Sequence, residues 1–303
     1  MKLPSPARLA RRLPFPFRAA PVPLGVEPPE RHTGVGADFD TEWARRFPAR
    51  LARMALLEGV IRPTAKLLAD PQRRGADRLD SLEGPAVFVA NHHSHLDTGL
   101  LLTSLPEPWR HKIVVGAAAD YFFTTKVSST AAALALNAIP IERTKVNRRS
   151  AQLAQELLED GWSLLIFPEG GRSPDGWGQP FRGGAAYMAL RTGLPVVPVH
   201  LAGTGRIMGK GMSRPRPGRT RVTFGHPIIP AEDDDARSLG PRIEAAVAEL
   251  ADESTSGWYT ARVNAHAGAT PALTGPDAPN WRRAWALGDP KRTRRRREWP
   301  DLG

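Results

Sequence analysis

A chain of 303 residues with 41% hydrophobic and 24% charged residues has room for one catalytic domain with appendages, and this composition excludes a disordered chain or a polytopic membrane protein. The absence of cysteine excludes disulfides, thiolate nucleophiles and cysteine-ligated zinc. The net charge of +11 sits at the ends: residues 1–20 and 281–303 each carry +5, leaving +1 for the 260 between, so no broad basic field belongs to the fold and nucleic acid is not an expected partner.

Both ends mix their charge with large apolar side chains, Phe15 and Phe17 at one and Trp281, Trp285 and Trp299 at the other. That mixture suits an anionic membrane surface, the alternative being a solvated tail. No stretch reaches the roughly 18 apolar residues of a spanning helix, and the start, MKLPSPARLARRLPFPF, is broken by prolines where a signal peptide needs a continuous apolar run. The expected location is the cytoplasm, peripheral on a membrane.

Asp40 and Thr41 are helix caps, followed by Trp43, Phe47, Leu51, Met54, Leu57 and Ile61 at spacings of three and four, with Pro48 and Pro63 expected to kink or divide the segment. The stripe fits a membrane interface or the flank of the main domain equally well, because periodicity does not distinguish lipid from core. Short apolar runs then read as strands at 86–90, 113–117, 138–141, 163–167, 196–201 and 221–224. Helices are expected between them at 95–104, 149–160 and 182–192, and then at 237–251. This alternation predicts an α/β fold with a central mixed sheet flanked by helices, preceded by an amphipathic helical segment. Pro198, inside an apolar strand, predicts an edge or a bulge. The divisions are 1–39, a basic Pro-rich tail; 40–74, the amphipathic segment; 75–252, the compact domain; and 253–303, a Gly/Pro-rich basic tail.

The densest chemistry is AVFVANHHSHLDTGLLL, a strand running into Asn91, His92, His93, Ser94, His95 and Asp97 and then a helix. His92 and Asp97 are five apart, about 140° round a regular helix, so their contact needs an irregular strand-to-helix junction, with Ser94 as cap. A neutral imidazole there takes a proton from a hydroxyl while the carboxylate fixes its tautomer. The helix N-terminal amides near Ser94 are candidate oxyanion donors. His93 and His95 read as one packed and one exposed ring, and no spaced ligand set points to a metal.

A second junction, SLLIFPEGGRSPDG, carries Glu169, Gly170, Gly171 and Arg172. The glycines let backbone approach a ligand, and Arg172 offers a bidentate fork to phosphate. Glu169 is expected to orient Arg172 or accept from a substrate hydroxyl. NAIPIERTK adds Arg143 at another strand end.

In this order the blocks resemble the 1-acyl-glycerol-3-phosphate acyltransferase family, the PlsC-type glycerolipid acyltransferases. NHxSxxD stands at Asn91 to Asp97, the Pro-containing arginine block at Ile139 to Arg143, FPEGxRS at Phe167 to Ser173 and VPV at Val197 to Val199, with Phe181, Arg182 and Gly183 matching the basic FKxG motif. The resemblance covers about residues 75–230. It implies His92 as base, Asp97 as its support, and Arg143, Glu169 and Arg172 around the acceptor's phosphate, with Gly170 in the same substrate-binding block. It implies acyl-CoA or acyl carrier protein as donor, a tunnel or groove for the acyl chain, a lysophospholipid acceptor, most simply 1-acyl-glycerol-3-phosphate, and no further cofactor. Acylation of another lysophospholipid, glycerol-3-phosphate or a non-phosphorylated lipid is the alternative, with non-catalytic lipid binding behind it. Where many relatives place a lysine before the second block this chain has GAAADYFF, so that contact is absent or supplied by Lys126.

Overall fold

The computed structural model describes residues 35–142 and 148–287, so both extreme basic ends and Arg143 lie outside the described residues. The helices are α1 Phe47–Leu56, α2 Arg62–Ala69, α3 Leu96–Ser104, α4 Ala119–Phe122, α5 Lys126–Leu136, α6 Arg148–Glu159, α7 Gly184–Thr192, α8 Thr204–Met208, α9 Ala236–Ser256, α10 Trp258–His266 and α11 Asn280–Ala286. The strands are β1 Pro71–Arg74, β2 Val87–Ala90, β3 Ile113–Ala118, β4 Ala138–Ile141, β5 Ser163–Ile166, β6 Val196–Ala202 and β7 Thr220–Phe224. They form one sheet in the order β1-β7-β6-β2-β5-β3-β4, with every neighbouring pair parallel except β6 and β7.

The central strands are continuous apolar runs because both faces are covered. In β2, Phe88 turns toward a core shared with α2 and α3, while Val87 and Val89 turn toward one shared with α6, α7 and α9. All three are fully buried. Pro198 falls at a bulge: Val196 pairs with Ile228 and Val199 with Phe224, so two residues of β6 face three across. The N–H that proline lacks is thus placed where the ladder is interrupted. β1, of sequence PQRR, escaped the strand expectation because an exposed polar edge strand has no apolar alternation to read.

The amphipathic segment is one nearly continuous helix. Pro48 sits in the first turn of α1, where a missing N–H costs nothing. Pro63 is accommodated by a π turn at Leu57–Ile61, in which the Arg62 N–H bonds to the Leu57 carbonyl five residues back. The expected stripe divides in two. Leu57 is buried and Ile61 packs on the core, whereas Phe47, Leu51 and Met54 point outward, Phe47 being 76% exposed. Arg53 occupies the inner side instead, donating to the Ala44 carbonyl at 2.8 Å, and burial lowers its guanidinium to about 10.

The compact domain does not end at 252, since α9 runs to Ser256, Asn264 of α10 bonds to Asp252 at 2.7 Å, and residues 273–287 fold back onto the loop after β5.

Candidate active site

The site begins where β2 leaves the sheet. The Asn91 side chain replaces a backbone rung, its Oδ1 accepting from the Leu201 N–H at 2.7 Å and its Nδ2 donating to the Leu201 carbonyl at 2.9 Å. Both groups are buried, and leaving one unpaired costs about 1–3 kcal/mol, so asparagine is held there by β6. The next residue is therefore free to turn out of the sheet.

Asp97, fully buried in the first turn of α3, reaches back across this junction. Its Oδ2 accepts from His92 Nδ1 at 2.8 Å, from the His93 N–H at 2.6 Å and from the Ser94 N–H at 2.7 Å. With Nδ1 taken, Nε2 is the nitrogen of His92 left for a substrate, and His92 lines the large cavity. The ring is stacked on Phe167 with centroids 4.3 Å apart, which fixes its plane.

This geometry corrects the expected oxyanion site. The amides of His93 and Ser94 are consumed by Asp97, that of Leu96 by Ser94 Oγ at 3.1 Å, and that of Asp97 by the Ser94 carbonyl at 3.3 Å. Ser94 does act as an N-terminal acceptor for α3, and its own hydroxyl donates to the Met208 carbonyl at 2.7 Å, tying the motif to α8.

Neither of the other two imidazoles bonds to Asp97, although His95 also lines the cavity. His93 packs beside Gly205 and burial lowers its imidazole below the ordinary value, whereas the exposed His95 stacks on Tyr121 with centroids 5.8 Å apart. Among the described residues no three metal-ligating side chains gather.

Glu169 is almost fully buried and binds no ligand face. One oxygen accepts from the His92 N–H at 2.8 Å and the other from the Gln179 N–H at 3.0 Å, so it is a strut joining the two motifs, where a substrate contact was expected. Ser173 adds a second joint, its N–H donating to the His92 carbonyl at 2.8 Å. Burial pushes the Glu169 carboxyl from 4.5 up to about 7, against the pull of its two N–H donors. The folded state therefore keeps a proton that the unfolded chain releases, so the stabilisation is fullest below about 4.5 and declines as pH rises through about 7. Urea midpoints should shift in favour of Glu169→Gln relative to wild type between pH 5 and 8. A shift the other way would mean that the carboxylate itself is the favoured form.

Beside this frame lies a cavity of about 800 Å³. Its lining combines apolar side chains, among them Val115, Phe122, Ile141, Leu164 and Met188, with the polar Arg172, Arg182, Lys210 and Gln179. Gly170 serves Arg182: its φ is +69°, and a Cβ there would lie 3.0 Å from the Arg182 Cζ. The Arg172 carbonyl accepts from Gln179 Nε2 at 3.3 Å, while its guanidinium makes no hydrogen bond or ion pair among the described residues. Its charge, after burial, is the next cause lowering His95. Lys126 begins α5 and is not part of the cavity wall; Lys210, after α8, is the lysine that is. Nothing local in the sequence signals Lys210 or Gln179, and Asn91 and Phe167 were legible only as motif members, because their contacts, to Leu201 and to the His92 ring, lie between strands.

Residues 70–202 match the Acyltransferase family. The chain is 35% identical over 164 residues to a chloroplastic 1-acyl-sn-glycerol-3-phosphate acyltransferase, BAT2, of Brassica napus, covering 53% of this chain and 46% of that one. It is 34% identical over 178 residues to a 1-acyl-sn-glycerol-3-phosphate acyltransferase of Pseudomonas aeruginosa, covering 56% and 65%. The crystal structure of the acyltransferase PlsC of Thermotoga maritima superposes with a TM-score of 0.55 at 25% identity, covering 71% of this chain and 86% of that one. Over residues 70–202 the chain is thus similar to the Acyltransferase family, and its fold to that of PlsC. This chain spans about half the length of the plant and algal relatives it matches, 46%, 44% and 56% of them. Two of the motifs, NHxSxxD and FPEGxRS, are the junctions that Glu169 joins through the His92 N–H.

Proposed function

We propose that this chain transfers a fatty acyl group from a thioester, acyl-CoA or acyl carrier protein, to the free hydroxyl of 1-acyl-glycerol-3-phosphate, giving phosphatidic acid. The observation that carries the reading is the His92 imidazole, held by Asp97 through Nδ1 beside a cavity lined by both apolar and cationic side chains. His92 Nε2 takes the hydroxyl proton as the oxygen attacks the thioester carbonyl carbon. The C–S bond then breaks and the imidazolium returns the proton to the thiolate. Asp97 holds the tautomer and offsets the charge that the ring acquires. The apolar side chains suit an acyl chain, and Arg172, Arg182 and Lys210 suit the acceptor's phosphate, Arg172 through a fork that matches its oxygens. No cofactor beyond the acyl donor is part of this reading.

The proposed place of work is an anionic membrane surface, which the outward Phe47, Leu51 and Met54 on a helix bearing Arg46, Arg50 and Arg62 support. Among the described residues no helix is long and apolar enough to cross a membrane. Phe47→Glu should weaken vesicle flotation at low and high salt alike, because burial of an apolar face is little screened; an effect confined to low salt would count against the helix.

The reaction is tested by incubating the full chain with acyl-CoA and a panel of lysophosphatidate, other lysophospholipids, glycerol-3-phosphate and monoacylglycerol, followed by lipid mass spectrometry. Phosphatidic acid is the expected dominant product. Preference for monoacylglycerol would overturn the phosphate site, and no acylated lipid at all would leave a lipid-binding protein.

A further inference from the structure

The segment after α10 returns to the loop that follows β5. Arg283 Nε pairs with Asp175 Oδ2 at 2.8 Å, Trp177 Nε1 donates to the Arg283 carbonyl at 3.0 Å, and the Gly178 N–H donates to the Leu273 carbonyl at 2.9 Å. The contact is close on both sides. A Cβ on Gly176 would lie 2.7 Å from Leu287, and one on Gly275 would strike the Trp177 ring. The clasped loop is the one that bears Arg172 and Glu169, and it is wired to the base: Gly176 N–H donates to Ser173 Oγ at 2.7 Å, and Ser173 N–H to the His92 carbonyl at 2.8 Å.

The clasping helix α11 has two different faces. Arg283 and Leu287, four apart, turn inward to Asp175 and Gly176. Trp281 and Trp285, also four apart and roughly 200° round from them, turn outward with 66% and 72% of their surface exposed. Arg282 lies over the Trp281 ring at 5.0 Å. In sequence Lys291, Arg292 and Arg294 to Arg297 follow the helix after Leu287, Gly288, Asp289 and Pro290. Paired indoles beside such a run of cations match the interface of an anionic bilayer, where rings sit at the headgroups and arginines meet phosphates.

We propose that the outer face of α11 docks on an anionic lipid surface and that its inner face, through Arg283 and Leu287, positions the loop bearing Arg172, so that membrane attachment firms the catalytic site. This rests on the membrane part of the proposed function. Arg283 is a positioning residue, since it acts through Asp175.

The test uses the full chain with vesicles of phosphatidylcholine alone or with phosphatidylglycerol. Trp281→Glu with Trp285→Glu should weaken flotation with the mixed vesicles at least about tenfold, while turnover of a detergent-dispersed acceptor stays unchanged. Mixed vesicles should slow amide hydrogen exchange across residues 169–179 in wild type but not in that variant. Arg283→Ala should abolish the same protection and raise KM for lysophosphatidate more than it lowers kcat, and Asp175→Arg combined with Arg283→Asp should restore both. Flotation equal to wild type in the tryptophan variant, a change in oligomeric state in place of lipid binding, or exchange that vesicles leave unaltered would each overturn the proposal. Flotation and exchange do not require turnover, so they remain decisive if the reaction itself is wrong.

Discussion

His92→Ala should cost roughly a hundredfold to ten-thousandfold in turnover, the range of a lost general base, with folding intact. The expectation rests on one asymmetry among three neighbouring histidines. His92 and His95 both line the cavity, but only His92 has Nδ1 on a buried carboxylate, whereas His93 is packed beside Gly205 and the exposed His95 stacks on Tyr121. His93→Ala and His95→Ala should therefore cost far less. Asp97→Asn should approach the His92→Ala loss: a neutral amide can still accept from the His93 and Ser94 N–H groups, but it no longer offsets the imidazolium charge. Rates under substrate saturation, with circular dichroism for folding, check all four variants. Equal losses in the three histidine variants would remove His92 from its role.

Arg172→Ala should cut kcat/KM for lysophosphatidate by roughly 10- to 200-fold, as befits a charged hydrogen-bonded contact of about 1.5–3 kcal/mol, and leave monoacylglycerol nearly unaffected. The guanidinium lines the same cavity as His92 and makes no hydrogen bond or ion pair among the described residues, which leaves its fork available to a phosphate. Arg172→Lys should recover only part of the loss, because an ammonium keeps the charge without the fork. Arg143→Ala, outside the described residues, is expected to act in the same direction. Parallel kinetics on the two acceptors check this, and equal losses on both would make the arginine a structural one.

The six strands expected from apolar runs all form, within a residue at either end, because the sheet is covered on both faces and its strands read as unbroken hydrophobic stretches. The helix at 126–136 was not anticipated, although Thr125 and Ser128 make a reciprocal cap there; the alanine-rich run after them carries no amphipathic stripe to read. Pairing of His92 with Asp97 was implied by the resemblance of the NHxSxxD block, since a spacing of five says little alone, but the means of the pairing was not legible. Capping by Ser94 was expected to bend the junction, whereas one Asp97 oxygen gathers three N–H donors and withdraws the amides assigned to an oxyanion. Glu169 misled for a similar reason, since a carboxylate beside an arginine reads as its partner until the backbone of residues 92 and 179 is seen to claim both oxygens. The C-terminal clasp was hidden because its pairs, Asp175 with Arg283 and Trp177 with Arg283, are more than 100 residues apart. A Gly/Pro-rich composition read as a tail there.

The most direct test of direct transfer through His92 follows thiol release from acyl-CoA and lipid products in one reaction, with and without lysophosphatidate, for wild type and His92→Ala. The account predicts one thiol released per phosphatidic acid formed, negligible release without acceptor, no acyl group on the protein by intact mass, and loss of both signals in the variant. Acceptor-independent thiol release with an acylated protein, or undiminished phosphatidic acid from His92→Ala, would contradict it.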